Sequence, residues 1–99
     1  MLHFEPLLAF QFDELWQTPL HWAAIRQCPP IVTVLIETGC NLNAKDVSGR
    51  TALYIAAMHN SQKIVKMLIL AGANPFIRCH NGVSPKEVTT DEYIQIYIK

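Results

Sequence analysis

Thr18-Pro19-Leu20-His21-Trp22-Ala23-Ala24 returns thirty-three residues later as Thr51-Ala52-Leu53-Tyr54-Ile55-Ala56-Ala57, and a worn third copy opens at Ser84-Pro85. Laid on one another without a gap, the first two segments also share Ile31/Ile64, Val32/Val65, Leu35/Leu68, Ile36/Ile69, Gly39/Gly72, Asn41/Asn74 and Gly49/Gly82. A fixed period of this length marks a solenoid, in which one supersecondary unit is stacked on the next. A single unit cannot bury its apolar face. The 99-residue chain, 51% hydrophobic, therefore has a core only if consecutive units meet along a continuous seam.

Each unit reads as a helical hairpin followed by an extended loop. Thr18 followed by Pro19 is the order of an N-cap and first helical position. Leu20, Ala23 and Ala24 give that helix one large and two small apolar groups, and the alanine methyls let a neighbouring helix approach closely. The prolines in Gln27-Cys28-Pro29-Pro30 are expected to end it, and Pro30 to start the next. Ile31, Val32, Leu35 and Ile36 then fall in a helical stripe rather than the alternation of a strand, and Gly39 supplies a left-handed stop. The second unit repeats this with Thr51, Ala56-Ala57, the turn Asn60-Ser61, Ile64, Val65, Leu68, Ile69 and Gly72. From Ser84 the pattern degrades: Lys86 stands where Leu is expected and Thr89-Thr90 where Ala-Ala is expected. The segment Tyr93-Ile94-Gln95-Ile96-Tyr97-Ile98 has two readings. One is a short helix capped by Asp91, with Ile94, Tyr97 and Ile98 turned to the Ile64/Leu68 helix; the other is a β-prone hexapeptide that pairs between chains.

Composition excludes several function classes. Eight basic and eight acidic side chains give no net charge, and no stretch concentrates Lys or Arg, so the footprint that phosphate backbones require is missing. The opening Met1-Leu2-His3-Phe4-Glu5-Pro6 lacks the basic start of a signal peptide, and no run approaches the roughly eighteen apolar residues of a membrane span. Three cysteines, Cys28, Cys40 and Cys79, are an odd number at irregular spacing, unlike a disulfide framework or a paired zinc site. A soluble, intracellular protein, cytoplasmic or nuclear, is expected. No nucleophile elbow, phosphate loop, metal spacing or catalytic carboxylate pair is present, so no enzyme activity, cofactor or metal is expected.

The order Thr18-Pro19-Leu20-His21, Ala23-Ala24, Ile31-Val32, Leu35-Ile36, Gly39, Asn43-Ala44-Lys45-Asp46 and Gly49 closely resembles the ankyrin repeat. The resemblance is strong over residues 18–83 and weak on both sides. It implies an all-α solenoid of stacked helix-turn-helix units with short β-hairpin loops, forming one domain. Residues 1–17 would be a partial N-terminal repeat or cap, 18–50 and 51–83 full repeats, and 84–99 a degenerate C-terminal repeat. Within the partial repeat, residues 10–17 look like the β-hairpin loop entering the first full repeat, with Trp16 in the slot of Gly49 and Gly82.

The resemblance also implies function. His21 would bond backbone groups at a repeat junction rather than act as a base or ligand, since Tyr54 replaces it one repeat on. Trp22, Ile55 and Val88 would face the concave inner side, with Ile25, Arg26, Met58 and His59 near the ends of the inner helices and Trp16, Gln17, Arg50 and His80 from the hairpins. Trp22, Ile25, Ile55 and Met58 would then form an apolar strip rimmed by Gln17, Arg26, Arg50 and His59, the composition of a protein-binding site. A non-catalytic module that binds a partner protein is expected. The alternative is an excerpt of a longer array whose apolar ends are covered by further repeats or by self-association. Asn43, eight residues after Leu35, resembles the targets of 2-oxoglutarate-dependent asparaginyl hydroxylases; it equally suits a loop asparagine whose amide bonds the turn, and Phe76 holds the matching slot one repeat on.

Overall fold

The computed structural model describes residues 17–98. They form the helices α1 (Pro19–Ile25), α2 (Pro29–Glu37), α3 (Ala52–Met58), α4 (Gln62–Leu70), α5 (Pro85–Val88) and α6 (Glu92–Tyr97). Helices α1, α3 and α5 pack in sequence as an inner layer, and α2, α4 and α6 as an outer one. Residues 1–16, with Trp16 and most of the expected partial repeat, lie outside the described residues. The loops expected as β-hairpins carry no strand among the described residues. Each tip is instead a tight turn. Asp46 N–H donates to Arg50 O at 2.9 Å and Gly49 N–H to Asp46 O at 2.9 Å; Cys79 to Val83 at 3.0 Å and Gly82 to Cys79 at 2.8 Å repeat the pattern.

The helix starts follow the sequence reading. Thr18, Thr51 and Ser84 all have extended backbones, and their hydroxyls accept from the N–H of His21, Tyr54 and Glu87. The stops of α2 and α4 follow it too, with Gly39 and Gly72 left-handed at φ 77° and 104°; the end of α1 does not. Where Pro29 and Pro30 were expected to end α1, the chain has already turned at Gln27, whose φ is 54°, and α2 begins at Pro29. Gln27 N–H bonds Ala24 O at 3.1 Å and Cys28 N–H bonds Ala23 O at 3.0 Å, the paired closure of a left-handed helix cap. Asn60, at φ 56°, closes α3 in the same way onto Ala57 and Ala56. The prolines start α2; they do not stop α1.

Ala23, Ala24, Ala56 and Ala57 are buried, together with Leu20, Leu53, Val32, Ile64, Val65 and Leu68, in a core that runs across the units. In the third unit the helical reading of residues 93–98 holds. The Asp91 carboxylate accepts from the N–H of Tyr93 and Ile94, and Ile94 and Ile98 join the core with Tyr97 packed against it. Thr89 replaces the alanine of the earlier junctions and is also buried; its hydroxyl donates to Asn60 Oδ1 at 2.6 Å. Lys86, in the slot that Leu20 and Leu53 fill inside the core, is exposed.

Two substitutions check this packing. Ala56→Leu is expected to lower stability by about 1–3 kcal/mol, because no space remains between α3 and its neighbours; a thermal melt reads it. Gln27→Gly is expected to raise stability by about 0.5–1 kcal/mol, since glycine adopts the left-handed cap without strain and the exposed Gln27 gives up no buried surface. Denaturant midpoints with an unchanged slope would measure that gain.

Candidate functional site

His21 is fixed at the first junction by both ring nitrogens. The Thr18 N–H donates to His21 Nδ1 at 3.1 Å, and His21 Nε2 lies 2.8 Å from Arg50 O. Because Nδ1 accepts from a backbone amide, the hydrogen-bond network assigns the ring proton to Nε2, which donates to the Arg50 carbonyl. The ring thus caps its own helix and ties it to the start of the next repeat. It is a structural histidine. Tyr54, its counterpart, donates its hydroxyl to the sulfur of Cys79.

The hairpin tips are anchored by one acidic group each, of different chemistry. Asp46 Oδ1 accepts from the N–H of Ser48 at 2.9 Å and of Arg50 at 2.8 Å, while Oδ2 accepts from Arg50 Nε at 3.0 Å. Its side chain has no exposed surface. Burial pushes the Asp46 carboxyl up, but the Arg50 and Ser48 amides and the Arg50 guanidinium together outweigh it and hold the group below the ordinary carboxylate value. One repeat on, the slot is Cys79. Burial again opposes ionisation, and the amides of Val83 and Asn81 with the Tyr54 hydroxyl hold the thiol below its usual value. Burial in turn raises the Tyr54 hydroxyl, and Cys79 raises it further. The tips also interlock: His80 N–H donates to Ser48 O at 2.9 Å. A Cβ on Gly49, whose φ is 81°, would come within 2.5 Å of the His80 ring.

Of the residues expected at a binding surface, the structure leaves some accessible and removes others. Trp22 is 45% exposed on α1, and Met58 is 37% exposed at the end of α3. Arg26, His59 and His80 are exposed, and Ile25 and Arg50 are half-buried. Two expectations are corrected. Ile55 has no exposed surface, because α3 is flanked by α1 on one side and α5 on the other and every residue from 52 to 57 is buried. Gln17 is only 5% exposed where the chain enters α1. The continuous strip Trp22-Ile25-Ile55-Met58 is therefore interrupted at its middle. What remains is a cluster at the C-terminal ends of adjacent inner helices, where Ile25 and Arg26 correspond by the repeat to Met58 and His59. Val47, at 51% exposed on the first tip, is a further large apolar group open to contact.

Asn43 is exposed, and its amide has a partner. Asn43 Oδ1 accepts the N–H of Asn74 at 2.8 Å, so it staples its loop to the equivalent loop of the next repeat rather than bonding its own turn. Its own N–H is held by Asn41 Oδ1 at 3.0 Å. Among the described residues no cluster of three His, Cys, Asp or Glu is arranged to hold a metal ion.

The Asp46 anchor has a measurable consequence. With its folded value depressed, the carboxylate contributes stability that is present above about pH 4 and is lost as pH falls through the folded value. Asp46→Asn is expected to be less stable than wild type at pH 7 and to lose less between pH 5 and pH 2. Thermal melts across that range measure the difference in slope.

The geometry of helix hairpins on a thirty-three-residue period has a direct match among known families. The pattern described as ankyrin repeats (3 copies) covers residues 4–79. The chain is 41% identical over 66 residues to ankyrin repeat and SAM domain-containing protein 6 of Rattus norvegicus, a match covering 66% of this chain and 8% of that protein. It is 41% identical over 61 residues to NF-kappa-B inhibitor alpha of Gallus gallus, covering 62% of this chain and 19% of the relative. It is 40% identical over 57 residues to the probable E3 ubiquitin-protein ligase XBOS33 of Oryza sativa subsp. japonica, covering 58% of this chain and 11% of the relative. The chain thus spans less than a fifth of each of these relatives. Ankyrin repeats are general protein–protein interaction modules without catalytic activity of their own. With its repeats matched in sequence over most of its length and its hairpins stacked in two layers, the chain belongs to the ankyrin-repeat family.

Proposed function

We propose that the accessible inner-helix and hairpin surface binds a partner protein, with Trp22 and Arg26 as anchors. Ile25, Met58 and His59 extend the contact along the stack, and Arg50 and His80 border it at the tips. The observation that carries this reading is the exposure of Trp22: a large aromatic group stands 45% exposed on an otherwise tightly packed inner helix, one turn from an exposed arginine. Trp and Arg are the residue types most often found as binding hot spots. The mechanism is presentation. Helices fixed by the buried alanine contacts hold these side chains in constant register, so little conformational entropy is lost on docking. A reducing, intracellular compartment, cytoplasmic or nuclear, fits the three free cysteines. No helix of the described residues is long and apolar enough to cross a membrane.

A second reading, that the stack is a stretch of a longer array, is favoured by one comparison between repeats. Ile64 is 1% exposed and Met67 half-buried on α4, whereas their counterparts on α2, Ile31 and Val34, are 51% and 57% exposed. A further repeat on that side would cover them.

A retention experiment from cell extract with the immobilised chain tests the inner-face reading. Proteins bound by wild type are expected to be lost with Trp22→Ala and Arg26→Ala, each costing about 2 kcal/mol or more, and kept with Glu37→Ala on the outer helix. Retention by Trp22→Ala together with loss by Glu37→Ala would reject the inner-face assignment.

A further inference from the structure

We propose that α5 and α6 form a detachable cap that opens as one unit from a standing stack of α1 to α4, and that the side chain of Asn60 is its latch. The helices of the cap have four and six residues, far below the length at which a helix persists alone, so they exist only while docked. Their docking differs in kind from the junction before it. Between the first two repeats α1 and α3 meet through Ala23, Ala24, Ala56 and Ala57, all buried. In the third unit the alanine pair is replaced by Thr89-Thr90, and both hydroxyls are held by one side chain. Thr89 Oγ1 donates to Asn60 Oδ1 at 2.6 Å, and Asn60 Nδ2 donates to Thr90 Oγ1 at 3.1 Å. Gln62, just across the same turn, adds a bond from Nε2 to Asp91 Oδ2 at 2.7 Å.

Asn60 suits this role because its backbone is not free to move. It occupies the left-handed position that closes α3, with its N–H bonded to Ala57 O at 3.0 Å, so the amide is presented to residues 89 and 90 from a fixed point. Asn60, Thr90 and Gln62 are exposed, so water competes for the bonds to Thr90 and Asp91, and the bond from the buried Thr89 is the one best shielded. The apolar contribution of the cap is smaller than that of the repeat before it: Pro85, Ile94 and Ile98 are its large fully buried groups, with Val88 and Tyr97 packed against the core, whereas α3 and α4 bury Leu53, Ile55, Ile64, Val65 and Leu68. A unit with fewer buried contacts than the repeat it docks on, and with partly solvent-exposed bonds, opens before that repeat.

Hydrogen exchange on the full chain tests this, residue by residue. In wild type the amides of α5 and α6 are expected to exchange as a block, faster than those of α3 and α4. Asn60→Gly keeps the left-handed closure and removes only the latch; it is expected to speed exchange across α5 and α6 roughly tenfold while α1 to α4 stay unchanged. Thr89→Val, which removes the hydroxyl from the other side at constant volume, is expected to give the same pattern. Gln27→Gly, at the equivalent turn of the first repeat, is expected to leave the exchange of α5 and α6 unaccelerated. Exchange rising equally in α3 and α4, or no change in α5 and α6 in either latch variant, would overturn the proposal.

Discussion

The close approach of the inner helices is the constraint on which the other features depend. Ala23, Ala24, Ala56 and Ala57 have no exposed surface of consequence, and their methyl groups let the helices approach closely at those positions. Only at that separation does the His21 ring reach the Arg50 carbonyl from one repeat to the next. The same spacing brings the Ser48 carbonyl under the His80 amide and the Asn43 carboxamide to the Asn74 amide. Each of these polar bonds adds about 0.5–1.5 kcal/mol at most. Their larger effect is on register: an apolar seam alone would tolerate sliding, and a fixed set of side-chain-to-backbone bonds does not.

Much of this was legible in the sequence because a repeat provides its own control. A residue type that recurs at one position, such as the capping hydroxyl at Thr18, Thr51 and Ser84, has a common physical cause, and each of those caps is formed. Asp91 as the cap of the last helix was legible for the same chemical reason. The glycine stops of α2 and α4 were legible as well, but the end of α1 was less so. Asn60 is a residue type that adopts a left-handed backbone readily, but Gln27 is not, and the prolines beside it offered a competing explanation for the end of α1. Nothing local distinguishes a glutamine forced into that conformation by two backbone hydrogen bonds from one in an ordinary turn.

The candidate site was legible in type and less so in detail. The repeat position of Trp22 correctly indicates an accessible side chain, yet the same position in α3 holds a fully buried Ile55. The difference lies in the neighbours: α3 has a helix on each side, and whether a side chain at the margin of an interface is covered depends on the size of residues a whole period away. Gln17 shows the same effect, since the resemblance placed it on the rim of the inner face and its place at the mouth of α1 buries it. The Asn43 bond also escaped local reading, because its acceptor is matched to a donor thirty-one residues on rather than to its own turn.

The bonds between neighbouring repeats share a property that bears on how the chain reaches this structure. His21 to Arg50, Asn43 to Asn74, Asn60 to Thr89 and Thr90, and Gln62 to Asp91 span separations of 29, 31, 29, 30 and 29 residues. Among the described residues these junctions join only neighbouring units. Each new unit docks on the one just before it, so the entropy of closing a loop is met in equal small steps, and a topology of this kind has a low contact order. The order of assembly is then set by which unit has the larger apolar seam rather than by which end is synthesised first. Growth from the pair of full repeats toward the short helices at the C-terminus is the route that the geometry favours.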